Sequence, residues 1–353
     1  MVKLFYKDKP IIGLDISPTG IKVMAVDAKR WKVFGYGSLD LDPINMQATF
    51  ESTDNTYLTE NLTSLLRDKV IGTLPSNHAA IAIPAARTFS RTFTLPRDQE
   101  KNIASAVDIE VNQYIPIPSS ALYVDYGIAE RTKDTLTVLM SAVPKTLVDN
   151  CVDAAQVAGL RPVLVEPSSN AIARMLDLTE HSLEMTTLII DIGTTSADIA
   201  ILDRSAIRVT GSVPVGSNTF TVSISEKLGV SLENAHQMKV INGLNASPRQ
   251  EKIKAALDPH LQRIVSEIHK VVRYYSERIT EDRHIEQVLV VGSGSDIPGM
   301  GDYFTDALVM AARVASPWER LDFGKMPLPN KQFRPRYITV AGLSVIDKSE
   351  ILR

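Results

Sequence analysis

The spacing of apolar residues in this chain switches between two periods, and each switch predicts a change of element. Apolar runs over 11–16, 21–26, 31–41 and 79–83 read as strands of a first sheet, with a helix expected at 56–70. Over 98–115 the step lengthens: Ile103, Val107, Val111 and Tyr114 fall on one helical face, and Pro116 and Pro118 stop the helix. Strands at 121–130 and 134–142, a helix at 145–158 and a strand at 161–165 follow. Helix, hairpin, helix and strand are expected to form a small subdomain whose work is contact with something else. The longest amphipathic pattern comes later, where Leu257, Leu261, Ile264, Val265, Ile268, Val271, Val272, Tyr275 and Ile279 make a wide stripe. It is read as core-facing, which leaves His269 and Arg273 on the solvent side.

The pattern also repeats at domain scale. Residues 12–33, IGLDISPTGIKVMAVDAKRWKV, align without a gap on residues 188–209, LIIDIGTTSADIAILDRSAIRV. Asp15 falls on Asp191, Ile16 on Ile192, Thr19 on Thr195, Val23 on Ile199, Asp27 on Asp203 and Val33 on Val209. Each copy is an apolar strand ending in Asp, a turn of small and hydroxylic residues, and a returning strand. Two such turns are expected to face each other across a cleft.

Composition changes this picture little. A chain of 353 residues, 44% apolar, can bury two cores. A net charge of −3 without a basic cluster argues against nucleic acid. The single cysteine, Cys151, cannot form an internal disulfide and sits on the apolar face of 145–158, so a reducing compartment and an inert thiol are expected. No apolar run reaches the roughly 20 residues of a membrane span, and no signal peptide is read. The first residues, MVKLFYKDKP, mix Leu4, Phe5 and Tyr6 with Lys3, Lys7 and Lys9. They are either a frayed start or a short element for a membrane surface or partner.

The turns carry the candidate chemistry. An Asp closing a buried strand before a Gly, Ser and Thr turn suits a magnesium-bound polyphosphate. Amides and hydroxyls meet phosphate oxygens, and the carboxylate holds magnesium through water. A third element, QVLVVGSGSDIPG at 287–299, runs a strand into glycines that let backbone approach a ligand. No two of the six histidines have metal-ligand spacing on one element.

Together these elements resemble the actin, Hsp70 and sugar-kinase superfamily over nearly the whole chain. They supply a first phosphate turn (13–22), a connecting helix (166–178), a second phosphate turn (190–198), an adenosine turn (291–298) and a terminal connecting segment (338–346). Within the superfamily the match is to the branch containing FtsA and PilM. It rests on 214–244, PVGSNTFTVSISEKLGVSLENAHQMKVINGL, and on RTFTLP (91–96), EVNQYIPIP (110–118) and AVPKTLVDNCVDAAQVAGLRPVLVEP (142–167).

The resemblance implies an α/β, actin-like (ribonuclease H-like) fold of two duplicated domains around a nucleotide cleft, with a small α+β subdomain inserted in the first. Domain 1 would comprise 1–90, 166–186 and 338–353, the partner-binding insertion 91–165, and domain 2 residues 187–337, with a subdomain at about 217–285. It implies ATP and Mg2+ as ligands, with Asp15 and Asp191 as the magnesium carboxylates. Ser17, Thr19, Gly20 and Lys22 would line the first turn, and Gly193, Thr194, Thr195 and Ser196 the second. Gly292, Ser293, Gly294 and Ile297 would lie along the adenosine, with Gly216, Asn218 and Lys239 beside the nucleotide. Lys22 reads either as a phosphate-pairing charge or as a solvated strand lysine, and Glu166 either as a water-orienting catalytic acid or as a helix-start residue.

Two departures from the family pattern put nucleotide affinity in doubt. His236 replaces the ribose-accepting carboxylate of A-E-x-x-K, and Pro18 removes one amide from the first turn. Slow or absent hydrolysis is expected. Three functions fit. One is a cytoplasmic scaffold of the type IV pilus machine, peripheral to the inner face of the cytoplasmic membrane, recruiting the short tail of a single-span, PilN-like partner through 91–165. It could also touch other platform components or itself. A filament-forming division protein is the second, opposed by a chain that stops nine residues after Ser344 without an amphipathic membrane helix. A small-molecule kinase is the third, opposed by the lack of a substrate-binding acid motif.

Overall fold

The computed structural model describes residues 10–180, 185–245, 250–280, 282–347 and 351. The basic-aromatic element read at residues 3–9 lies outside them. Two compact units emerge: Met1–Met175, Pro317–Pro329 and Tyr337–Arg353 form one, and Leu176–Ser316 with Asn330–Arg336 the other.

The first unit is built on β1 (Ile12–Ser17), β2 (Gly20–Asp27), β3 (Lys32–Asp40), β4 (Ile71–Gly72), β5 (His78–Ile83) and, after the chain leaves and returns, β9 (Arg161–Pro167). Their order in the sheet is β4-β3-β2-β1-β5-β9, antiparallel from β4 to β1 and parallel from β1 to β9. β1 and β5 are buried on both faces, as expected of the parallel centre of a sheet covered on both sides. One face packs on α1 (Pro43–Glu51), α2 (Thr56–Asp68) and α4 (Lys145–Val157) through Met46, Phe50, Leu58, Leu62, Leu65, Leu147 and Cys151. The start of α1 is set locally. Pro43 takes the first helical position, and the Asp42 carboxylate accepts from the amides of Ile44 (3.0 Å) and Asn45 (2.9 Å). The other face meets α5 (Ser168–Glu180) and α10 (Ile338–Ser344) through Ala80, Ala82, Ala171 and Leu343. Here backbones touch, since a Cβ on Gly342 would collide with the Ala171 carbonyl and one on Gly13 with the Val340 carbonyl.

Between β5 and β9 lies a separate three-stranded antiparallel sheet, order β6-β8-β7, made of β6 (Phe89–Pro96), β7 (Leu122–Arg131) and β8 (Thr135–Pro144). α3 (Ile103–Tyr114) covers one face, its Ile103, Val107 and Val111 against Leu136, Val138, Met140 and Ala142. α4 and β9, expected in this subdomain, belong instead to the six-stranded sheet. The apolar stripe of α4 faces the first core, and β9 completes that sheet's parallel edge.

The second unit repeats the plan with β10 (Thr187–Ile192), β11 (Ala197–Asp203), β12 (Ala206–Val213), β13 (Gln287–Val291) and β14 (Ala312–Val314), in order β12-β11-β10-β13-β14. Its helices are α6 (Ser217–Leu228), α7 (Leu232–Ile241), α8 (Gln250–Arg278) and α9 (Met300–Leu308). The α8 stripe is core: Leu257, Leu261, Ile264, Ile268 and Tyr275 are buried, on a helix that packs against β11 and β12.

Duplication extends to an irregularity. Both second strands break register at the same place, between Ala25 and Val26 and between Ile201 and Leu202. Beyond it the two copies diverge. Asp27 pairs with Lys32 across a four-residue loop, whereas Asp203 pairs with Ala206 across Arg204 (φ 52°) and Ser205 (φ 58°). Two successive positive φ values make a tight hairpin turn that matches strand twist. Val33 therefore corresponds to Ile207, each pairing with the residue just past the bulge, and the gapless alignment to Val209 is corrected by two residues.

Candidate functional site

β10 and β13 are parallel neighbours, so their C-terminal turns emerge side by side. The Gly193 amide donates to the Ser196 carbonyl (2.9 Å), closing the turn Gly193–Ser196. Gly294 donates to the Ile192 carbonyl (2.7 Å), and the hydroxyls of Thr194 and Ser293 lie 3.5 Å apart. The glycines follow from this interlock. Gly292 has φ 86°, and a Cβ there would strike an Asp191 carboxylate oxygen; one on Gly294 would strike the Ile192 side chain. Ser295 closes the turn by donating to the Gly292 carbonyl (2.8 Å).

The N-terminus of α6 buttresses the second turn from behind. A Cβ on Gly216 would lie 2.5 Å from the Thr194 carbonyl. Ser217 N–H donates to Gly193 (2.9 Å) and Asn218 N–H to Thr194 (3.0 Å), while Gly216 N–H goes to Thr219 Oγ1 (3.3 Å). Gly216 and Asn218 thus give their amides to the protein and shape the turn. Lys239 is spent similarly. Buried on α7, its ammonium donates to the Ser217 carbonyl (2.9 Å), Ser217 Oγ (2.7 Å) and Thr221 Oγ1 (2.7 Å), the full three donors of a lysine. Burial, and then Arg336, pulls its pKa down to about 8. His236 is held below its ordinary pKa by burial, Lys239 and Arg336.

The carboxylates differ between the copies. Asp191 pairs across the ladder with Asp198, a residue that sequence reasoning missed, and cross-strand partners share a face. Asp198 accepts from Ser212 Oγ (2.6 Å) and Ser196 Oγ (3.5 Å), yet burial pushes its pKa up to about 6. Two facing carboxylates, one resisting ionisation, suit a hard cation that would favour the charged form. In the first copy the residue opposite Asp15 is Lys22, 2.8 Å away, and both side chains are largely buried. Lys22 is therefore neither solvated nor presented alone, and Asp15 already has its counter-charge. The repeat held the signal for Asp198, because residue 198 aligns with residue 22. Ser17 Oγ donates to the Gly20 carbonyl (2.8 Å), Thr19 accepts from Leu41 N–H (3.0 Å), and Gly20 sits under the Leu39 carbonyl.

Glu166, at the end of β9, is buried and receives two hydrogen bonds from Arg174, of 2.7 and 2.9 Å. Ile297 is a core residue of the second unit that also touches a cavity of about 760 Å3, lined by Val240, Asp296, Pro298, Arg313 and Lys331 among others. Among the described residues no helix is long and apolar enough to cross a membrane.

Comparison with known proteins places this geometry. The sequence profile of the type IV pilus assembly protein PilM family matches residues 13–347. The cell division protein FtsA of Neisseria meningitidis serogroup B is 26% identical over 157 residues, 44% of this chain and 36% of that relative, so the match spans about a third of FtsA. Among solved structures, the PilM-PilN type IV pilus biogenesis complex superposes with a TM-score of 0.79 at 19% identity, covering 95% of this chain and 98% of the other. MreB5 of Spiroplasma citri, solved bound to ADP, gives 0.56 at 14% identity and 98% coverage of both. At such identities the structures establish the fold, which is actin-like.

Proposed function

The chain belongs to the type IV pilus assembly protein PilM family, and on that premise we propose that it is an ATP-binding scaffold of the pilus assembly platform. The observation that carries the nucleotide reading is the interlock of the turn at Gly193–Ser196 with the turn at Gly292–Gly294, on adjacent parallel strands of one unit. Thr194, Thr195, Ser196 and Ser293 offer hydroxyls there, and the glycines admit a ligand at backbone distance. Asp191, with Asp198 opposite, would hold magnesium through water, and the ion when bound would offset polyphosphate charge. Slow or absent turnover follows from Glu166, whose two oxygens are already engaged by Arg174.

The scaffold would sit at the inner face of the cytoplasmic membrane and recruit the short cytoplasmic tail of a single-span, PilN-like protein. The three-stranded subdomain inside the 91–165 insertion is the proposed contact, since it exposes Ile109, Tyr114, Tyr123 and Tyr126. Two measurements test this. Calorimetric titration with magnesium and ATP should give saturable binding that Asp191→Ala weakens at least ten-fold; its absence would remove the nucleotide from the proposal. Affinity capture from detergent-solubilised membranes should recover a single-span protein only while its cytoplasmic tail is intact. Recovery of a tubulin-like division protein or of filaments of the chain itself, without such a partner, would overturn the scaffold reading.

A further inference from the structure

The hairpin between β2 and β3 is longer than its duplicate. The β11–β12 hairpin closes with Arg204 and Ser205 alone, whereas Ala28, Lys29, Arg30 and Trp31 stand between Asp27 and Lys32. Trp31 takes an unfavourable conformation there, with φ 55° for a bulky side chain. The loop is nevertheless held in place by 317–322. Trp31 C=O accepts from Asp322 N–H (2.8 Å), and the Asp322 carbonyl accepts from Val33 N–H (2.9 Å). The Arg320 guanidinium lies 4.8 Å from the centre of the Trp31 ring. Trp318 is in the same turn, Pro317–Arg320, so both tryptophans of the chain belong to these two segments.

Lys29, Arg30, Lys32 and Arg320 are exposed, and both indoles are partly so. Of the acids among them, Asp27 accepts from the amides of Lys29 (3.0 Å) and Arg30 (3.3 Å), and Asp322 from Gly324 N–H (2.8 Å). Each is tied to its own turn, and Glu319 is the third. This corner lies at the far end of the eight-residue β2 from the turn at Ser17–Gly20, about 25 Å away. β1 begins at the same end, because Ile12 pairs with Ala25, and the sequence before it adds Lys3, Lys7 and Lys9 with Leu4, Phe5 and Tyr6. We propose that the corner docks on an anionic phospholipid surface, with Lys29, Arg30, Lys32 and Arg320 at the lipid phosphates and Trp31 and Trp318 at headgroup level. Cations beside indoles suit that layer, where the rings bury an apolar body and keep a polar edge wet. Nucleic acid suits it less: a chain of net charge −3 repels a polyanion that wraps it, while a flat surface meets only the basic corner. This contact is additional to the scaffold reading, in which a partner's tail brings the chain to the membrane.

Flotation of the whole chain with vesicles tests this. Vesicles of equimolar phosphatidylglycerol and phosphatidylcholine should carry wild type upward in the gradient, and vesicles of phosphatidylcholine alone should not. Lys29→Gln with Arg30→Gln should weaken binding about ten-fold or more at an unchanged thermal midpoint, since each cation near an anionic surface adds to affinity. Anionic vesicles should also shift the tryptophan emission to the blue, and Trp31→Phe should reduce that shift. Equal binding to both vesicle types, or none to either, would overturn the proposal. So would wild-type affinity in the double variant, which would move the contact away from this corner. A duplex DNA oligonucleotide binding more tightly than the anionic vesicles would make nucleic acid the occupant and overturn it as well. None of these results bears on the scaffold reading, which capture of a partner through its tail tests separately.

Discussion

Glu166 and Arg174, eight residues apart on β9 and α5, face each other through two hydrogen bonds of 2.7 and 2.9 Å, and Arg174 also reaches the Gly342 carbonyl on α10 at 3.3 Å. Three elements of the first unit are tied by one guanidinium. Removing one arm should therefore register as lost stability. Glu166→Gln is expected to cost about 2–3 kcal/mol, because a fork-to-fork pair with little solvent is halved and a charge is left uncompensated. Denaturant unfolding measures it, and phosphate release per bound nucleotide should stay at the wild-type level. A large fall in turnover at unchanged stability would return Glu166 to a catalytic role.

Asp198 gives the second unit a pH signature. Its folded pKa, about 6, lies above the ordinary 3.8, so between those values the folded chain holds a proton that the unfolded chain has released. Stability from this group is present below about 4, falls as pH rises toward about 6, and is flat above it; the whole loss is of order 3 kcal/mol at most. Asp198→Asn should abolish that fall and be more stable than wild type at pH 7.5 but not at pH 4. Parallel denaturation midpoints across that range, with no difference in slope between the two proteins, would refute the assignment.

Glycines at backbone contacts should respond differently from glycines in open space. Gly342→Ala is expected to cost about 3 kcal/mol or more, since the new Cβ meets the Ala171 carbonyl, and neither helix can move without disturbing the core between them. Gly127→Ala, in β7 with nothing within 4 Å, should be neutral or slightly stabilising. Thermal midpoints of the two variants make the comparison.

Burial pushes the Cys151 thiol up to about 12, and the residue is wholly enclosed in the first core. Iodoacetamide at pH 8 should leave it unmodified in the folded chain and label it on unfolding, because the thiolate is the reactive form. Labelling of the native protein at the rate of a free thiol would contradict the packing of α4.

Much of the architecture was legible in the chain because periodicity reports which side of an element is apolar. The α8 stripe and the duplicated hairpins follow from local spacing, although β1 runs two residues beyond Asp15 and β10 one beyond Asp191, so neither Asp closes its strand as expected. The repeat carried a signal for Asp198 in its alignment with Lys22, but a carboxylate and an ammonium at one position hid the correspondence, and the sequence reading missed it. Spacing does not name the neighbour that covers an apolar face. α4 could be assigned to the insertion from its position in the chain, and only the close packing of Leu147, Cys151, Ala154 and Ala155 in the first core placed it elsewhere.

Polar side chains depended still more on the tertiary structure. Lys22, Lys239 and Glu166 all resembled ligand-facing charges, yet Asp15, the Ser217 and Thr221 oxygens, and Arg174 had already claimed them. A buried charge must be paired, and what pairs it is decided by elements brought together in space. By itself the sequence determined the duplicated hairpins, the turns that follow the two Asp-bearing strands and the glycine turn after β13, since each is a property of short-range pattern. Tertiary structure decided which of the candidate charges are paired within the protein, because burial and hydrogen-bond supply are set by the whole fold.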